Sequence, residues 1–298
     1  MIGAMKQLIV NADDFGLTPG VNRGICRAYR EGILTSTTLM ANAAGFQDAV
    51  RRASENPGLG VGCHLVLVGG RITGNTKDVG RLAGEDGRLP ATVGTLVGKI
   101  TLGHVSQRNI VVELRAQIEK SQGACQAAGI EPTHCDSHKH THCHPTVMRA
   151  IAQAMAETGM RKWRKPYESP ANVIEITGSN RKIRGVGQMA GALAAHLTRP
   201  LFDQLSLKYG LSSPERFYGF AATGHLDALG LMQFLENLPD GVSELMCHPG
   251  ENDEDLLKAG TRLREERAAE MAALMTASLR DVVARHCIKL ISYAQMDG

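Results

Sequence analysis

The chain of 298 residues carries a formal charge of +3 and a hydrophobic fraction of 43%. Its nearly balanced charge gives no reason to expect a nucleic acid partner, and its apolar content is enough for one large α/β domain or two smaller ones. Seven cysteines, an odd number without a Cys-x-x-Cys pair, argue against a disulfide framework. No long apolar run precedes Asn11, so a cytoplasmic protein without signal peptide or membrane span is expected.

Strand-like and helix-like segments alternate through the first part of the chain. Short apolar runs predict strands at residues 6–10, 35–41 and 59–67, and helical spacing predicts helices at 19–31 and 46–55. Residues 69–108 are rich in glycine and polar side chains. We expect them to form an insertion that could act as a lid over a site.

The alternation continues to the end of the chain. Helices are predicted at 109–128, 145–157, 227–237 and 261–285, with an apolar helical segment at 187–209 that breaks at Pro200. Strands are predicted at 159–165, 217–222, 242–247 and 288–293, in addition to a histidine-rich strand from residue 134. About seven alternations indicate a parallel sheet with crossover helices. Polar groups recur just after strands, which favours a single TIM-like (β/α) barrel, seven-stranded or distorted, over an open sheet.

The most informative stretch runs from His134 to His144 and reads HCDSHKHTHCH. Its five histidines and Asp136 all occupy even positions, and side chains two residues apart share one face of an extended strand. His134, Asp136, His138 and His140 are therefore predicted to line one side of a strand with ligands suited to a divalent metal. A solvated, histidine-rich turn is the alternative.

Two adjacent carboxylates follow the first strand, in the sequence NADDFG at residues 11–16. A turn or a helix cap is the alternative role for such residues. Combined with His64 near the end of the third strand and the histidine-rich stretch, Asp13 and Asp14 favour an Asp-His-His metal site with an open position, which is a catalytic arrangement. One carboxylate could bind the ion while its neighbour acts as a base.

Two more polar side chains follow strands later in the chain. His248 ends a strand in the sequence MCHP, and Arg164 lies in the basic segment 161–165. A core histidine and a solvated basic face are the alternatives. In a (β/α) barrel the carboxyl ends of the strands share one face, so both residues are expected near Asp13 and Asp14.

Four motifs occur in order: NADDFG at 11–16, GCHL at 62–65, HCDSH at 134–138 and MCHP at 246–249. Together they resemble the YdjC-like carbohydrate deacetylases, over most of the chain. The resemblance implies that Asp14, His64 and His138 bind a divalent metal. It also implies that Asp13 is the general base and His248 the general acid.

Longer stretches at residues 64–71, 138–147 and 238–242 resemble more closely the hopanoid-biosynthesis-associated (HpnK) branch of that family. The resemblance implies a substrate with an N-acetylglucosamine-type amino sugar, carried on a hopanoid glycolipid or in a chitooligosaccharide. The apolar segment 187–209 would suit a lipid tail, although a simple core helix explains it equally well. A homodimer and peripheral contact with a membrane stay open.

The expected reaction is hydrolysis of an N-acetyl group. Zinc fits the Asp-His-His set best by ligand softness, and magnesium is the alternative. Arg164 is expected to orient Asp13 and keep it ionised. A metal-dependent phosphoesterase on a similar barrel is a second interpretation, and a non-catalytic histidine-rich metal store is a third.

Candidate substrate contacts are Asp136 and His140, both from the histidine-rich stretch, and Trp163. His140, like His142 and His144, is not expected to bind the ion, because a helix follows directly and the chain leaves the metal. Trp163, the single tryptophan of the chain, could stack on a sugar ring. Packing in the core is the alternative for it.

Overall fold

The computed structural model describes residues 5–168 and 195–296. The strands of this part are β1 Lys6–Phe15, β2 Ser36–Leu39, β3 Gly60–Leu65, β4 Cys135–Ser137, β5 Arg216–Tyr218, β6 Gly241–Cys247 and β7 Lys289–Leu290. The helices are α1 Pro19–Glu31, α2 Phe46–Ser54, α3 Thr76–Val79, α4 Val93–Thr101, α5 Gln107–Ala127, α6 Pro145–Thr158, α7 Arg199–Tyr209, α8 Ala228–Glu236, α9 Glu254–Lys258, α10 Glu265–Leu274 and α11 Ala277–Arg285. None of these helices is long and apolar enough to cross a bilayer.

The strands form one parallel sheet in the order β4-β3-β2-β1-β6-β5, and β7 pairs with the start of β1. Single bridges from Cys135 to Trp163 and from Lys162 to Ser212 carry the sheet on beyond β4. Ser212 lies only four residues before the first residue of β5, so the sheet curls into a distorted barrel. The predicted TIM-like architecture is confirmed.

The first strand is buried on both faces, as its apolar run predicts. Leu8 and Val10 pack outward into the cluster that includes side chains of α1, α2 and α8. Ile9 faces inward and packs against Ile291 and Tyr293. Helix α1 starts where the sequence predicts, because the Thr18 side chain caps it ahead of a proline.

The end of the chain differs from the prediction of one helix over 261–285. The structure has two helices, α10 and α11, separated at Met275 and Thr276. Thr276 has extended backbone angles (φ −62°, ψ 120°) and is the N-cap position of α11. Apolar spacing alone did not reveal this break, because the spacing resumes in the second helix.

Two other predicted elements are shorter or begin elsewhere. The segment 159–165 contributes only the bridges at Lys162 and Trp163 and no strand. Within the apolar segment 187–209, residues 187–194 lie outside the described part of the chain. Pro200 occupies the first turn of α7, where its missing N–H has no intrahelical acceptor to lose.

Candidate metal centre and active site

An irregularity at the end of β1 places two adjacent carboxylates on the same cleft. The register between β1 and β2 shifts between Ala12 and Phe15, and Asp14 has a left-handed φ of 68°. A bulge of this kind re-aims a side chain that would otherwise point to the opposite face of the strand. Asp13 and Asp14 consequently both line a cleft of about 270 Å³ at the carboxyl end of the barrel.

Three strand ends bring three donor atoms together at this cleft. Asp14 Oδ1 lies 3.3 Å from His64 Nε2 and 3.0 Å from His138 Nδ1, and the two nitrogens are 3.3 Å apart. Asp14 Oδ1 is buried and receives no hydrogen bond of acceptable geometry among the described residues. A buried acceptor of this kind costs free energy unless a cation meets it. One carboxylate and two imidazoles also suit a borderline-soft divalent ion, so the residues fit a metal.

A buried carboxylate on the neighbouring strand orients the central histidine. Asp136 stands beside His64 in the register of β3 and β4, and its Oδ1 lies 2.6 Å from His64 Nδ1. Thr38 Oγ1 donates to the other oxygen of Asp136 at 3.0 Å. This pairing leaves Nε2 of His64 as the atom that faces Asp14 and His138. The prediction that Asp136 binds substrate is wrong, because its side chain is fully buried and bonded within the protein.

The electrostatics of the site favour positive charge between these donor atoms. Burial disfavours an imidazolium, but the carboxylates of Asp136, Asp14 and Asp13 outweigh it and raise the pKa of His64 to about 10. Burial also acts to raise the pKa of Asp14, yet Arg267 and His138 hold that pKa well below its usual range. The carboxylates therefore stabilise a cation at the point where an ion would bind.

Asp13 is held by a buried arginine at the centre of the barrel. Arg164 donates to both oxygens of Asp13, at 2.8 and 2.7 Å, and to Glu244 at 2.9 Å. Its guanidinium also lies 2.8 Å from Asp136. Burial would raise the pKa of Asp13, but Arg164 holds it well below its usual range. Arg164 therefore contacts both oxygens of Asp13 from a position where it favours the ionised carboxylate.

His248 lines the same cleft from the end of β6. Its Nε2 lies 4.0 Å from Asp13 Oδ2, and its backbone N–H donates to Glu270 at 2.6 Å. Burial lowers the pKa of the His248 imidazole to about 4, against the attraction of Asp13 and Asp14. The imidazole is therefore neutral near pH 7 and can receive a proton from a stronger acid beside it.

The histidine-rich stretch departs from an extended strand after Ser137. A short 3-10 turn covers residues 138–143, and Lys139 and His140 within it have left-handed φ angles of 52° and 51°. The turn breaks the two-residue alternation, so the predicted row of four side chains on one face is wrong. Consecutive left-handed residues without glycine are uncommon and gather at functional sites. Here they carry His140 onto the wall of the cleft, where its ring packs 4.2 Å from that of Phe220.

The other histidines of the stretch serve the fold around the site. His134 faces the interior of the barrel, where its ring stacks 3.6 Å from that of Tyr293 and its Nε2 lies 3.1 Å from Asn11 Oδ1. His142 is buried against the Ser137 hydroxyl. His144 caps helix α6. None of the three reaches the cluster of Asp14, His64 and His138.

Trp163 belongs to the core rather than to the cleft. Only 1% of its surface is exposed, and its ring stacks on Phe202 of α7 at 4.2 Å. Its indole N–H donates to Ser206 at 3.3 Å. The prediction of a sugar-stacking surface is therefore wrong. Burial follows from the parallel bridge to Cys135, which sets this residue into the barrel wall.

Sequence reasoning missed two site residues on helix α10. Arg267 Nη2 lies 2.5 Å from Asp14 Oδ2, and Glu270 accepts the backbone N–H of His248. Spaced three residues apart, the two face the same side of the helix. The signal in the sequence was a pair of charged residues three positions apart in a predicted amphipathic helix, on what the structure shows to be its buried side. Charged residues at core positions of a helix are a sign of a site.

Fold and site together define an α/β-barrel protein with a cluster of one carboxylate and two imidazoles at the carboxyl ends of its strands. Residues 7–285 match the family described as YdjC-like protein. The chain is 33% identical over 291 residues to a carbohydrate deacetylase of Brevibacillus brevis, covering 97% of this chain and 99% of the relative. A carbohydrate deacetylase of Geobacillus stearothermophilus is also 33% identical, with 97% and 98% covered. The chain therefore belongs to the YdjC-like family.

A solved structure supports the fold independently. A crystal structure described as a putative cellobiose-phosphate cleavage protein from Enterococcus faecalis superposes with a TM-score of 0.73 and 22% identity, covering 98% of both chains. A lactam utilization protein from Thermus thermophilus superposes with a TM-score of 0.50 and 15% identity, covering 96% of this chain and 99% of the other. At these identities the likeness concerns the fold alone.

Proposed function

We propose that the chain is a metal-dependent hydrolase that removes the N-acetyl group from an N-acetylglucosamine-type amino sugar. The observation that carries the proposal is the meeting of Asp14 Oδ1, His64 Nε2 and His138 Nδ1 beside a separate, arginine-paired carboxylate. The two full-length relatives named carbohydrate deacetylases support the same reaction. Two imidazoles among the ligands favour zinc over magnesium, which prefers oxygen.

Asp13 has the position and charge of the general base. Arg164 fixes both of its oxygens and keeps it ionised, and Asp13 lines the cleft next to the proposed ligands. When bound, the ion supplies Lewis acidity, which polarises the amide carbonyl and brings the pKa of a water molecule down toward about 7. Lowering the pKa of the water narrows its gap to the pKa of Asp13, so Asp13 would take a proton from such water far more readily than from bulk water.

His248 completes the proton path to the leaving group. Water adds its oxygen to the acetyl carbon and gives one proton to Asp13. The pKa of Asp13 is held well below its usual range, whereas the pKa of His248 is about 4. A protonated Asp13 is therefore a stronger acid than the imidazolium of His248, which lies 4.0 Å away. The proton can therefore pass to Nε2 and on to the amide nitrogen as the C–N bond breaks. The products are acetate and a free amine.

A two-metal phosphoesterase is less compatible with the side chains around the cleft. Donor atoms of Asp13, His64 and Asp136 also lie within 4.8 Å of one another. However, the guanidinium of Arg164 pairs with both of these carboxylates, and its positive charge occupies the position of a second ion. The remaining residues support a mononuclear site.

A second cleft supports a substrate larger than one sugar. It has a volume of about 280 Å³ and shares His138, Lys139 and Thr261 with the first. Its other side is lined by residues of the 69–108 insertion, namely Gly69, Gly70, Arg88, Leu89 and Ala91. We propose that the acetylated sugar occupies the first cleft, that the rest of a glycolipid or chitooligosaccharide extends into the second, and that the insertion covers it.

The test of this function is a substrate panel. Purified protein with added zinc is incubated with N-acetylglucosamine, chitooligosaccharides, an N-acetylglucosaminyl glycolipid and a generic aryl phosphate, and acetate and phosphate are measured. We expect acetate from at least one larger acetylated glycan and no phosphate. Phosphate release without acetate would instead establish a phosphoesterase.

A further inference from the structure

Arg267 of helix α10 bonds the oxygen of Asp14 that faces away from the two histidines. Its Nη2 lies 2.5 Å from Asp14 Oδ2, while Oδ1 faces His64 and His138. Both side chains are almost completely buried, with 1% and 4% of their surfaces exposed. Oδ2 of the Asp14 carboxylate therefore pairs with the arginine, and Oδ1 lies next to the two histidines.

Hydrogen bonds to two neighbouring loops fix the position of helix α10 and of Arg267 on it. The backbone carbonyl of Arg267 accepts the N–H of Gly250, at 3.2 Å, from the turn after β6. One turn further along, Glu270 accepts the backbone N–H groups of His248 and Gly224 at 2.6 and 2.8 Å. The helix is therefore tied to the loops that follow β5 and β6, and Arg267 connects it to the end of β1.

The hydrogen-bond donors of the Arg267 guanidinium are only partly satisfied. Its Nη1 is buried and has no partner among the described residues, and its Nε makes a long bond of 3.3 Å to the Leu263 carbonyl. A buried guanidinium with an unsatisfied donor costs free energy. Such local costs are expected where a side chain is held for function rather than for stability.

We propose that Arg267 is a positioning residue for the metal ligand Asp14. By occupying Oδ2, the guanidinium would leave Oδ1 as the oxygen of Asp14 that is available to an ion, on the side of His64 and His138. The inference rests on the proposed metal site. It extends the role of α10 from packing to shaping the coordination sphere, as outer-shell partners do in other metal sites.

Metal binding, rather than turnover alone, tests this inference. The variants are Arg267→Met, which removes the bond, and Arg267→Lys, which keeps the charge with a single-point donor. Arg264→Met on the exposed surface before the same helix is the matched control. Zinc affinity is measured by competition with a chromogenic chelator, and the visible spectrum of the cobalt-loaded protein reports the coordination geometry. Thermal unfolding of the metal-free proteins checks that each variant folds.

We expect Arg267→Met to bind zinc about 10–100-fold more weakly and to shift the cobalt spectrum. Arg267→Lys should recover part of both properties, and Arg264→Met should match the wild type. Unchanged affinity and an unchanged cobalt spectrum in Arg267→Met would overturn the inference. If that variant does not fold, the same two results in Arg267→Lys would overturn it. A wild-type protein that binds no zinc would instead refute the proposed metal site itself.

Discussion

Replacing Asp13 with asparagine is expected to lower deacetylation by on the order of 10²–10⁴-fold, the usual share of general base catalysis. Asparagine keeps the size of the side chain but cannot take a proton from water. Arg164 retains Glu244 and Asp136 as partners, so the buried guanidinium is not left unpaired. Zinc content should stay near one ion per chain, because Asp13 is not among the proposed ligands.

The control for this change is Asp281→Asn on the exposed side of α11, which should behave as the wild type. Asp14→Asn supplies the opposite pattern. It should weaken zinc binding, and high zinc concentrations should restore part of its activity. An Asp13→Asn protein that is rescued by added zinc, or that turns over normally, would mean that the two carboxylates have exchanged roles or that the mechanism is different.

Replacing His64 with alanine is expected to remove most of the bound metal and, with it, the activity. The change deletes one of the three proposed ligands from the centre of the cluster. Asp136 would keep Thr38 and Arg164 as partners, so a buried charge would not be left uncompensated. The fold should survive, as shown by an unchanged far-ultraviolet circular dichroism spectrum, while elemental analysis finds little zinc.

His138→Ala should show the same loss of metal with a smaller effect on stability, because the His138 side chain is 19% exposed. His104→Ala, in an exposed loop, is the matched control and should retain one ion per chain. Stoichiometric zinc in His64→Ala would show that the ligands are assigned wrongly.

The barrel and its site-bearing face could be predicted because they depend on local signals. The apolar run of β1 and the Thr18-Pro19 start of α1 are encoded in a few neighbouring residues. Asp13 and His248 could be placed on one face because they lie at the carboxyl ends of two strands of the same parallel sheet, Asp13 near the end of β1 and His248 just after β6.

The errors arise where tertiary contacts decide the backbone. Lys139 and His140 adopt left-handed backbone angles although neither is a glycine, so the sequence gives no sign that the strand ends there. The predicted histidine-rich strand is therefore too long. The core position of Trp163, which the sequence offers only as the alternative to the cleft, depends on packing against Phe202, a residue distant along the chain. Arg267 was missed because its partner, Asp14, lies 253 residues away along the chain.

We propose that one ion, held by Asp14, His64 and His138, makes this chain a deacetylase. The most direct measurement is a titration of metal-free protein with zinc, in which acetate release from a chitooligosaccharide, or from whichever acetylated glycan is cleaved, is followed at each addition. We predict that the rate rises with zinc and levels off at one equivalent per chain. Full activity in the metal-free protein, or zinc binding at one equivalent without acetate release from any acetylated glycan, would refute the proposed metal-dependent deacetylation.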